Sequence, residues 1–235
     1  MTNERARFGR RRGARWARGL PVLAVLALGS CDRLNPFELS CEFRLAPTRV
    51  SVATEPVQYV VDHTLGFAAL TQKSVALVSH GRSVLGLTEA NLRTQVQVNA
   101  RGLSSRFTGR YCMRPEVAVT ITFNPMKVYM GADEPAGSCR YRITWEHEMR
   151  HVAVYQEFLP TIANRIERQL TEHFGNTVYY FKDGNDAQSE VDRIVTKFVS
   201  PLVRAGVEEV RALQRQVDQP AEYARLDELR GRCER

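Results

Sequence analysis

The apolar residues change their period near the middle of the chain, and this change limits the possible folds more than any other feature. Before residue 131, several short segments alternate apolar and polar residues, as strands with one buried face do. After residue 139, apolar residues recur at helical spacing over two long stretches, 140–174 and 187–217. The 235-residue chain therefore predicts an α+β fold, with a small sheet followed by a long antiparallel helix pair.

Four segments of the front half predict the strands of this sheet. They are rich in β-branched residues or alternate apolar with polar residues, and they lie at 49–61, 94–100, 116–123 and 126–131. Asn124-Pro125 predicts a turn before the last of them, "MKVYMG". Residues 64–93 have no clear period and are interpreted as a helix and a connection. The predicted sheet is mostly antiparallel.

Two long helical patterns form the back half. The first covers about 140–174 and ends at Gly175, a residue type that favours helix C-termini. Because proline removes a helical hydrogen bond, a kink or an interruption is expected at Pro160. The second pattern covers about 187–217, with a bend expected at Pro201. A polar loop joins the two helices, and the second is expected to run back alongside the first.

The formal net charge of +7 lies almost entirely in the first 30 residues. Seven arginines and one glutamate give this segment +6, which leaves +1 for the rest of the chain. A basic surface for binding nucleic acid is therefore not indicated. The arginines precede an apolar run of about a dozen residues, which is too short for an ordinary membrane span and typical of a secretory signal.

The apolar run ends in "LGSC", which resembles a bacterial lipobox and predicts lipid attachment at Cys31. Ordinary signal-peptidase cleavage near Gly29 or Ser30 is the alternative. The protein is thus predicted to be a membrane lipoprotein that faces the periplasm and contacts the membrane through its N-terminal lipid. Its predicted parts are a signal peptide, a tether and a single α+β domain, over 1–30, 31–48 and 49–235.

Four further cysteines follow Cys31, and an even number in an exported protein favours two disulfides. Three pairings are possible. The expected pairing joins Cys112 to Cys139, which closes a loop before the helical half, and Cys41 to Cys233, which ties the ends of the mature chain. A zinc site formed by four cysteines is disfavoured, because no two of them are closely spaced.

The first helical pattern contains "HEMRH", in which Glu148 follows His147 directly and His151 comes four residues after His147. Residues four apart lie on the same face of a helix, so both imidazoles can reach one metal ion. Glu148 points about 100° away, where it can contact a water without binding the metal. These residues predict a zinc site with Glu148 as general acid/base. A packed helix with hydrogen-bonded histidines is the alternative.

This segment resembles the active-site helix of the zincin metallopeptidases over roughly ten residues. The resemblance implies that zinc activates a water for attack on an amide carbonyl, while Glu148 takes up its proton and returns it to the leaving amine. It also implies that a substrate adds as a strand to a nearby sheet edge, for which "MKVYMG" is the candidate. Trp145, Met149 and Val152 fit the zincin pattern, whereas the charged Arg150 departs from it.

The third metal ligand is not identified by the sequence, although catalytic zinc usually has three protein ligands and a water. The metzincin subclass is excluded, because it would need glycine and histidine where this chain has Val154 and Glu157. Glutamates later in the first helix, Glu167 and Glu172, could bind only if the chain folds back at Pro160. A returning second helix would bring Glu209 near His151, but Glu209 lies off its apolar stripe, whereas the polar Gln214 lies on the stripe without an explanation. The tail after this helix could also bring Asp218 or Glu222 back.

The predicted function is zinc-dependent hydrolysis of peptide bonds in the bacterial cell envelope, on a peptide or protein substrate. Two alternatives stay open. The first is a zinc-binding or metal-free lipoprotein that acts as a binding or assembly module, and the second is a hydrolase of amides other than peptides. A third acidic or histidine side chain converging on His147 and His151 would favour an enzyme. Two histidines that face a closed apolar core would favour a module.

Overall fold

The computed structural model describes residues 35–74 and 83–233, so the predicted signal peptide and Cys31 lie outside it. The described residues belong to one compact unit that begins at Asn35. None of their helices is both long enough and apolar enough to cross a membrane. In chain order the elements are α1 (Pro36–Arg44), β1 (Val50–Thr54), β2 (Tyr59–Asp62), α2 (Phe67–Lys73), β3 (Gly86–Ser104), β4 (Tyr111–Met130), α3 (Cys139–Phe174), β5 (Tyr179–Phe181), α4 (Ala187–Val217) and α5 (Pro220–Arg232).

Two of these elements lie in segments that the sequence leaves loosely defined. Helix α1 forms within the predicted tether, 31–48, where Pro36 begins the helix and the side chain of Asn35 accepts the N–H of Phe37. Helix α2 lies in the segment 64–93 and confirms the helix expected there, whereas β3 already begins at Gly86, where a connection was expected.

Strand β4 is the centre of a mixed five-stranded sheet. On one side it pairs antiparallel with β3 along almost its whole length. On the other side it pairs parallel with β1 and β2, and antiparallel with β5. The mostly antiparallel sheet expected from the sequence is therefore not confirmed. Alternation along a strand shows that it has two different faces, but it carries no information about the direction of the neighbouring strand.

Strand β4 continues through Asn124-Pro125, so the turn predicted at this pair is wrong. The peptide bond between the two residues is cis, and the register with β3 shifts here, from Leu92 opposite Phe123 to Ala90 opposite Met126. Two residues of β4 thus lie opposite one residue of β3. Such a bulge tolerates proline in a sheet, because the missing N–H is not needed for pairing.

The segment "MKVYMG" (126–131) is consequently an interior part of the sheet and not the edge that the sequence predicts. Residues 126–129 pair with β2 on one side, and 126–130 pair with β3 on the other. Among the described strands, β3 pairs with β4 alone.

Helix α3 is continuous over 36 residues. The hydroxyl of its N-cap, Ser138, accepts the backbone N–H of Tyr141 at 3.0 Å, and the helix ends before Gly175 as predicted. Pro160 lies inside α3 without interrupting it. The fold-back that would bring the glutamates of its second half to the histidines is therefore absent.

Helix α4 runs antiparallel to α3, as predicted, and is also continuous through its proline, Pro201. Gly206 allows the two helices to approach closely, since a Cβ at this position would lie 3.1 Å from the side chain of Ile162. Helix α3 packs on β1 and β4, and α4 packs on β3. The main core lies between them, and its largest fully buried side chains include Phe123, Ile121, Phe174, Ile166 and Leu170.

The two disulfides join Cys41 to Cys112 and Cys139 to Cys233, so the predicted pairing is wrong. Because β4 does not turn back at Pro125, Cys112 lies near the start of this strand and Cys139 lies beyond its end. At about 3.3 Å per residue, the part of β4 from Cys112 to its end at Met130 spans roughly 60 Å. One bridge fastens α1 to the sheet, and the other fastens the end of α5 to the start of α3.

Candidate metal centre

His147 and His151 lie one turn apart in the first half of α3, and both are turned into the protein. They are 5% and 8% exposed, respectively. Their Nε2 atoms are 3.3 Å apart, which is the close approach that a four-residue spacing on a helix allows. The two histidines of the "HEMRH" motif therefore converge on one point, as the sequence predicts.

Asp218 is the third side chain at this point. Its Oδ1 lies 3.3 Å from Nε2 of His147 and 3.2 Å from Nε2 of His151. Asp218 directly follows the last residue of α4, and the return of α4 along α3 brings it to the histidines. These three residues form a group that could hold a metal ion, and Asp218 is one of the third ligands that the sequence leaves open.

The spacing of the three atoms fits a tetrahedral ion. With zinc–ligand bonds of about 2.0–2.1 Å, neighbouring ligand atoms of a tetrahedron are about 3.3 Å apart. The sides of the triangle formed by the two Nε2 atoms and Oδ1 measure 3.3, 3.3 and 3.2 Å. Two imidazole nitrogens and a carboxylate oxygen are a donor set that zinc takes in catalytic sites. The residues present therefore fit a divalent metal ion.

Gln214 of α4 fixes the orientation of His151. Its Oε1 lies 2.5 Å from Nδ1 of His151, and its amide nitrogen donates to the backbone carbonyl of His151 at 3.1 Å. An amide oxygen can only accept, so Nδ1 carries a proton, and Nε2 is the nitrogen that is left to bind a metal ion. This contact explains why a polar residue lies on the apolar stripe of α4.

The Nδ1 edge of His147 faces two charged groups instead. Arg150 Nη2 lies 3.0 Å from this nitrogen and Glu222 Oε1 lies 3.6 Å from it. Arg150 and Glu222 also pair directly, and Arg225 binds the same carboxylate. Hydrogen bonds from Arg225 and Arg150 lower the pKa of Glu222 to about 2, so this carboxylate is ionised at neutral pH.

The remaining acidic candidates for a metal ligand lie elsewhere. Glu209 forms an ion pair with Arg165. Glu167 and Glu172 follow His151 along the uninterrupted α3, which at about 1.5 Å per residue places them some 24 and 32 Å farther along the helix.

Glu148 is 3% exposed and lies against the start of β3. The hydroxyl of Thr88 donates to its Oε2 at 2.8 Å. A Cβ at Gly86 would lie 2.7 Å from its Oε1, so the glycine leaves room for the carboxylate. Burial raises the pKa of Glu148, although the charges of His151 and His147 and the hydrogen bond from Thr88 oppose this shift. A raised pKa suits a carboxylate that takes up and releases a proton.

The electrostatics of the centre favour a positive charge. Burial acts to raise the pKa of Asp218, but hydrogen bonds from His147 and His151 outweigh it and hold this pKa well below its usual range. Burial acts to lower the pKa of His151, but its hydrogen bond with Asp218 and the charge of Glu148 raise it. A metal cation between the three ligand atoms would be stabilised by the same two carboxylates.

Tyr223 of α5 also contacts the ligand set. Its hydroxyl donates to Oδ1 of Asp218 at 2.9 Å. Burial and the negative charge of Asp218 raise the pKa of Tyr223, so the phenol keeps its proton and remains a donor. Helix α5 thus places Glu222 against His147 and Tyr223 against Asp218.

A surface cleft of about 710 Å³ lies beside the centre, between α3, the end of α4 and the start of α5. Arg150 and Glu222 line it and separate it from His147. Its apolar lining comes from Val154, Phe158, Leu213, Val217 and Ala221. The side chain of Asp218 is 37% exposed, so the centre has an open side at this ligand.

The sequence identifies His147, His151 and Glu148, but it does not identify the residues that bond to Glu148 and to Asp218. Thr88 is 60 residues away from Glu148, in a segment without a clear period, and no local pattern marks it. Tyr223 lies in a mostly exposed terminal helix. Gln214 does carry a signal, because a polar residue on an apolar helical stripe requires a buried partner.

Comparisons of the chain with models of protein families, with characterised proteins and with solved structures give no match. The resemblance to the zincin metallopeptidases therefore remains a prediction from the motif. What supports a metal centre is the geometry itself, in which three ligand atoms at tetrahedral spacing lie next to a buried carboxylate.

Proposed function

We propose that this protein is a zinc-dependent hydrolase of peptide bonds, with His147, His151 and Asp218 as metal ligands and Glu148 as general acid/base. One observation carries the proposal: three ligand atoms have the spacing of a tetrahedral zinc site, and the residue after the first ligand is a buried carboxylate. When bound there, zinc would act as a Lewis acid toward the substrate carbonyl and the attacking water.

Glu148 is the group that moves the proton. It accepts the proton of the attacking water and donates it to the leaving amine nitrogen. Thr88 holds Oε2 through its hydroxyl, which leaves Oε1 as the oxygen that would exchange the proton. The pKa of Glu148 is raised toward neutral pH, and this favours both the uptake of the proton from water and its donation to the leaving amine.

Two further residues hold the ligands in place. Gln214 keeps the proton of His151 on Nδ1 and leaves Nε2 for the metal. Tyr223 binds Oδ1 of Asp218 and so restricts the rotation of this carboxylate. Both contacts reduce the reorganisation needed when the metal binds.

The ligand number favours a catalytic over a structural metal site. Structural zinc is usually closed by four protein ligands, whereas catalytic zinc has three and keeps one position for water or substrate. The group among the described residues has three ligands, and the exposed side of Asp218 gives a route to the surface.

We further propose that the enzyme acts in the bacterial cell envelope on a peptide or protein substrate. Its two disulfides are of a kind that persists in oxidising compartments. The secretory signal predicted over 1–30 and lipid attachment at Cys31 belong to the same proposal, with the lipid as the contact to the membrane.

Metal analysis of the purified protein, followed by a general peptidase assay, tests the proposal. We expect about one zinc per chain, and we expect Glu148→Gln to keep the metal while losing about 100-fold or more of the cleavage rate. Glu146→Gln, which alters an exposed glutamate two residues away, is the matched control and should keep both. Wild-type protein without metal overturns the proposal. Bound zinc without Glu148-dependent cleavage favours a zinc-binding module.

A further inference from the structure

The two histidines of the centre differ in what their Nδ1 atoms face. His151 faces the amide oxygen of Gln214 at 2.5 Å. His147 faces the Arg150–Glu222 pair, in which the guanidinium nitrogen is at 3.0 Å and the carboxylate oxygen at 3.6 Å. Both members of this pair lie outside the three-ligand group, and neither has a part in the proposed proton transfer.

The chemistry of imidazole decides whether Arg150 or Glu222 can orient His147 when this residue binds a metal ion. A histidine that binds through Nε2 uses the lone pair of that nitrogen, so its proton lies on Nδ1. Arginine has five donors and no acceptor, and it cannot receive this proton in a hydrogen bond. Of the two neighbours of His147, only the carboxylate of Glu222 can accept it.

Glu222 is held where it can do so. It is fixed by Arg150 from α3 and by Arg225 one turn further along α5, with contacts of 3.0 and 2.8 Å from the latter. Its side chain is 13% exposed, and two guanidinium groups on one carboxylate keep it ionised. Its Oε1 lies 3.6 Å from Nδ1 of His147, so a hydrogen bond between them requires the two atoms to approach to about 3 Å.

We propose that Glu222 is the positioning residue of His147: it accepts the Nδ1 proton when Nε2 binds the metal, and Arg150 holds it in place. This inference rests on the proposed metal centre, but not on hydrolysis. It also gives Arg150 a purpose. Arg150, the charged residue that departs from the zincin pattern, pairs with Glu222 of α5. This pair holds the carboxylate of Glu222 beside the metal ligand His147.

Zinc affinity of the full chain, measured by competition with a chromophoric chelator, tests the inference. Replacing Glu222 by leucine removes the acceptor at similar size and should weaken zinc binding about 10- to 100-fold. Glu222→Gln restores an acceptor oxygen and should recover part of the loss. Glu228→Leu is the matched control, because Glu228 lies on the same helix and pairs along its surface with Arg232; the zinc affinity of this variant should stay unchanged.

A second measurement needs no variant. Nitrogen NMR of the histidine side chains in zinc-loaded wild type should show His147 bound through Nε2 and protonated at Nδ1. Equal zinc affinity of wild type and Glu222→Leu, or coordination of His147 through Nδ1, overturns the inference. Equal zinc affinity leaves the proposed hydrolysis untouched, whereas coordination of His147 through Nδ1 would also contradict the ligand geometry on which the proposed metal centre rests. Conversely, a protein that binds zinc without cleaving peptides overturns the hydrolase and leaves the role of Glu222 standing.

Discussion

Glu148 is the one acidic residue that is buried among those the structure describes. A carboxylate in the interior is unfavourable unless its oxygens find partners. Here Thr88 bonds one oxygen, and Gly86 gives space to the other, where any larger residue would contact it. The surroundings of Glu148 thus raise its pKa at the expense of folding free energy, which makes it a candidate for a functional group.

Thr88→Val should therefore change the pH dependence of the proposed cleavage. The hydroxyl of Thr88 lowers the pKa of Glu148, so its removal raises that pKa further. Because the general base must be ionised, the acidic limb of the rate profile should move to higher pH. The loss of a hydrogen bond to a charged group should lower the neutral rate by on the order of 10-fold. Steady-state rates across pH measure both effects.

The controls for this prediction are a second variant and a second measurement. Thr88→Ser keeps the hydroxyl and should keep the wild-type profile. Zinc affinity should be the same in all three proteins, since Thr88 contacts no metal ligand. A profile that shifts equally in the serine and valine variants would contradict the assigned role of the hydroxyl.

At the scale of the elements, local patterns predict what depends on local sequence. The period of 140–174 predicts α3, and the spacing of His147 and His151 predicts their shared face, because both follow from the geometry of one helix. The direction of β1 and β2 and the disulfide pairing depend on contacts between distant segments. Reading Asn124-Pro125 as a turn misplaces the sheet edge, because β4 continues through this pair.

The position of the third ligand also depends on contacts between distant segments. Asp218 could be named only as one candidate among several, because its approach depends on how far α4 slides along α3. A shift of one residue along α4 turns each of its side chains by about 100°. Gln214 is an exception, because its position on the apolar stripe of α4 could have been used to predict a contact with a polar group of α3.

The position of helix α5 is expected to affect zinc binding. It carries Glu222 and Tyr223 to the centre, and the disulfide Cys139–Cys233 fastens its far end to the first residue of α3. Replacing both cysteines by serine should free that end and weaken zinc binding by about 10-fold, the lower range for loss of residues that orient ligands. Chelator competition measures the change.

The other disulfide is a matched control. Cys41 and Cys112 are 71 residues apart and Cys139 and Cys233 are 94 apart, so the loss of either bridge should destabilise the fold by a similar amount, about 4 kcal/mol. Cys41–Cys112 joins α1 to β4 and contacts no residue of the centre. Zinc affinity should therefore fall only when Cys139–Cys233 is removed, and an equal fall in both double variants would contradict a specific effect of α5.

At the scale of the whole molecule, the centre joins segments that are far apart in sequence. Two ligands lie on α3, the third follows α4, and the partners of Glu148 lie on β3. The sheet and the long helix pair bring these parts together before any ion binds, and the junction between α4 and α5 carries the third ligand, Asp218, to the two histidines. An ion bound at the centre would therefore tie the last part of the chain to the core.

Zinc should consequently stabilise the whole fold. An ion that binds only the folded state, at a free concentration of about 100 times its dissociation constant, adds about 2.7 kcal/mol to the free energy of unfolding. For a domain of this size that corresponds to a rise in melting temperature of roughly 5 to 10 °C. Thermal unfolding with added zinc and with added chelator measures the rise. Asp218→Ala removes the ligand that links the junction to α3 and should lose most of it, whereas Glu146→Gln should keep it. A rise of the same size in Asp218→Ala would mean that zinc binds at another site, and the assignment of Asp218 as the third ligand would then be wrong.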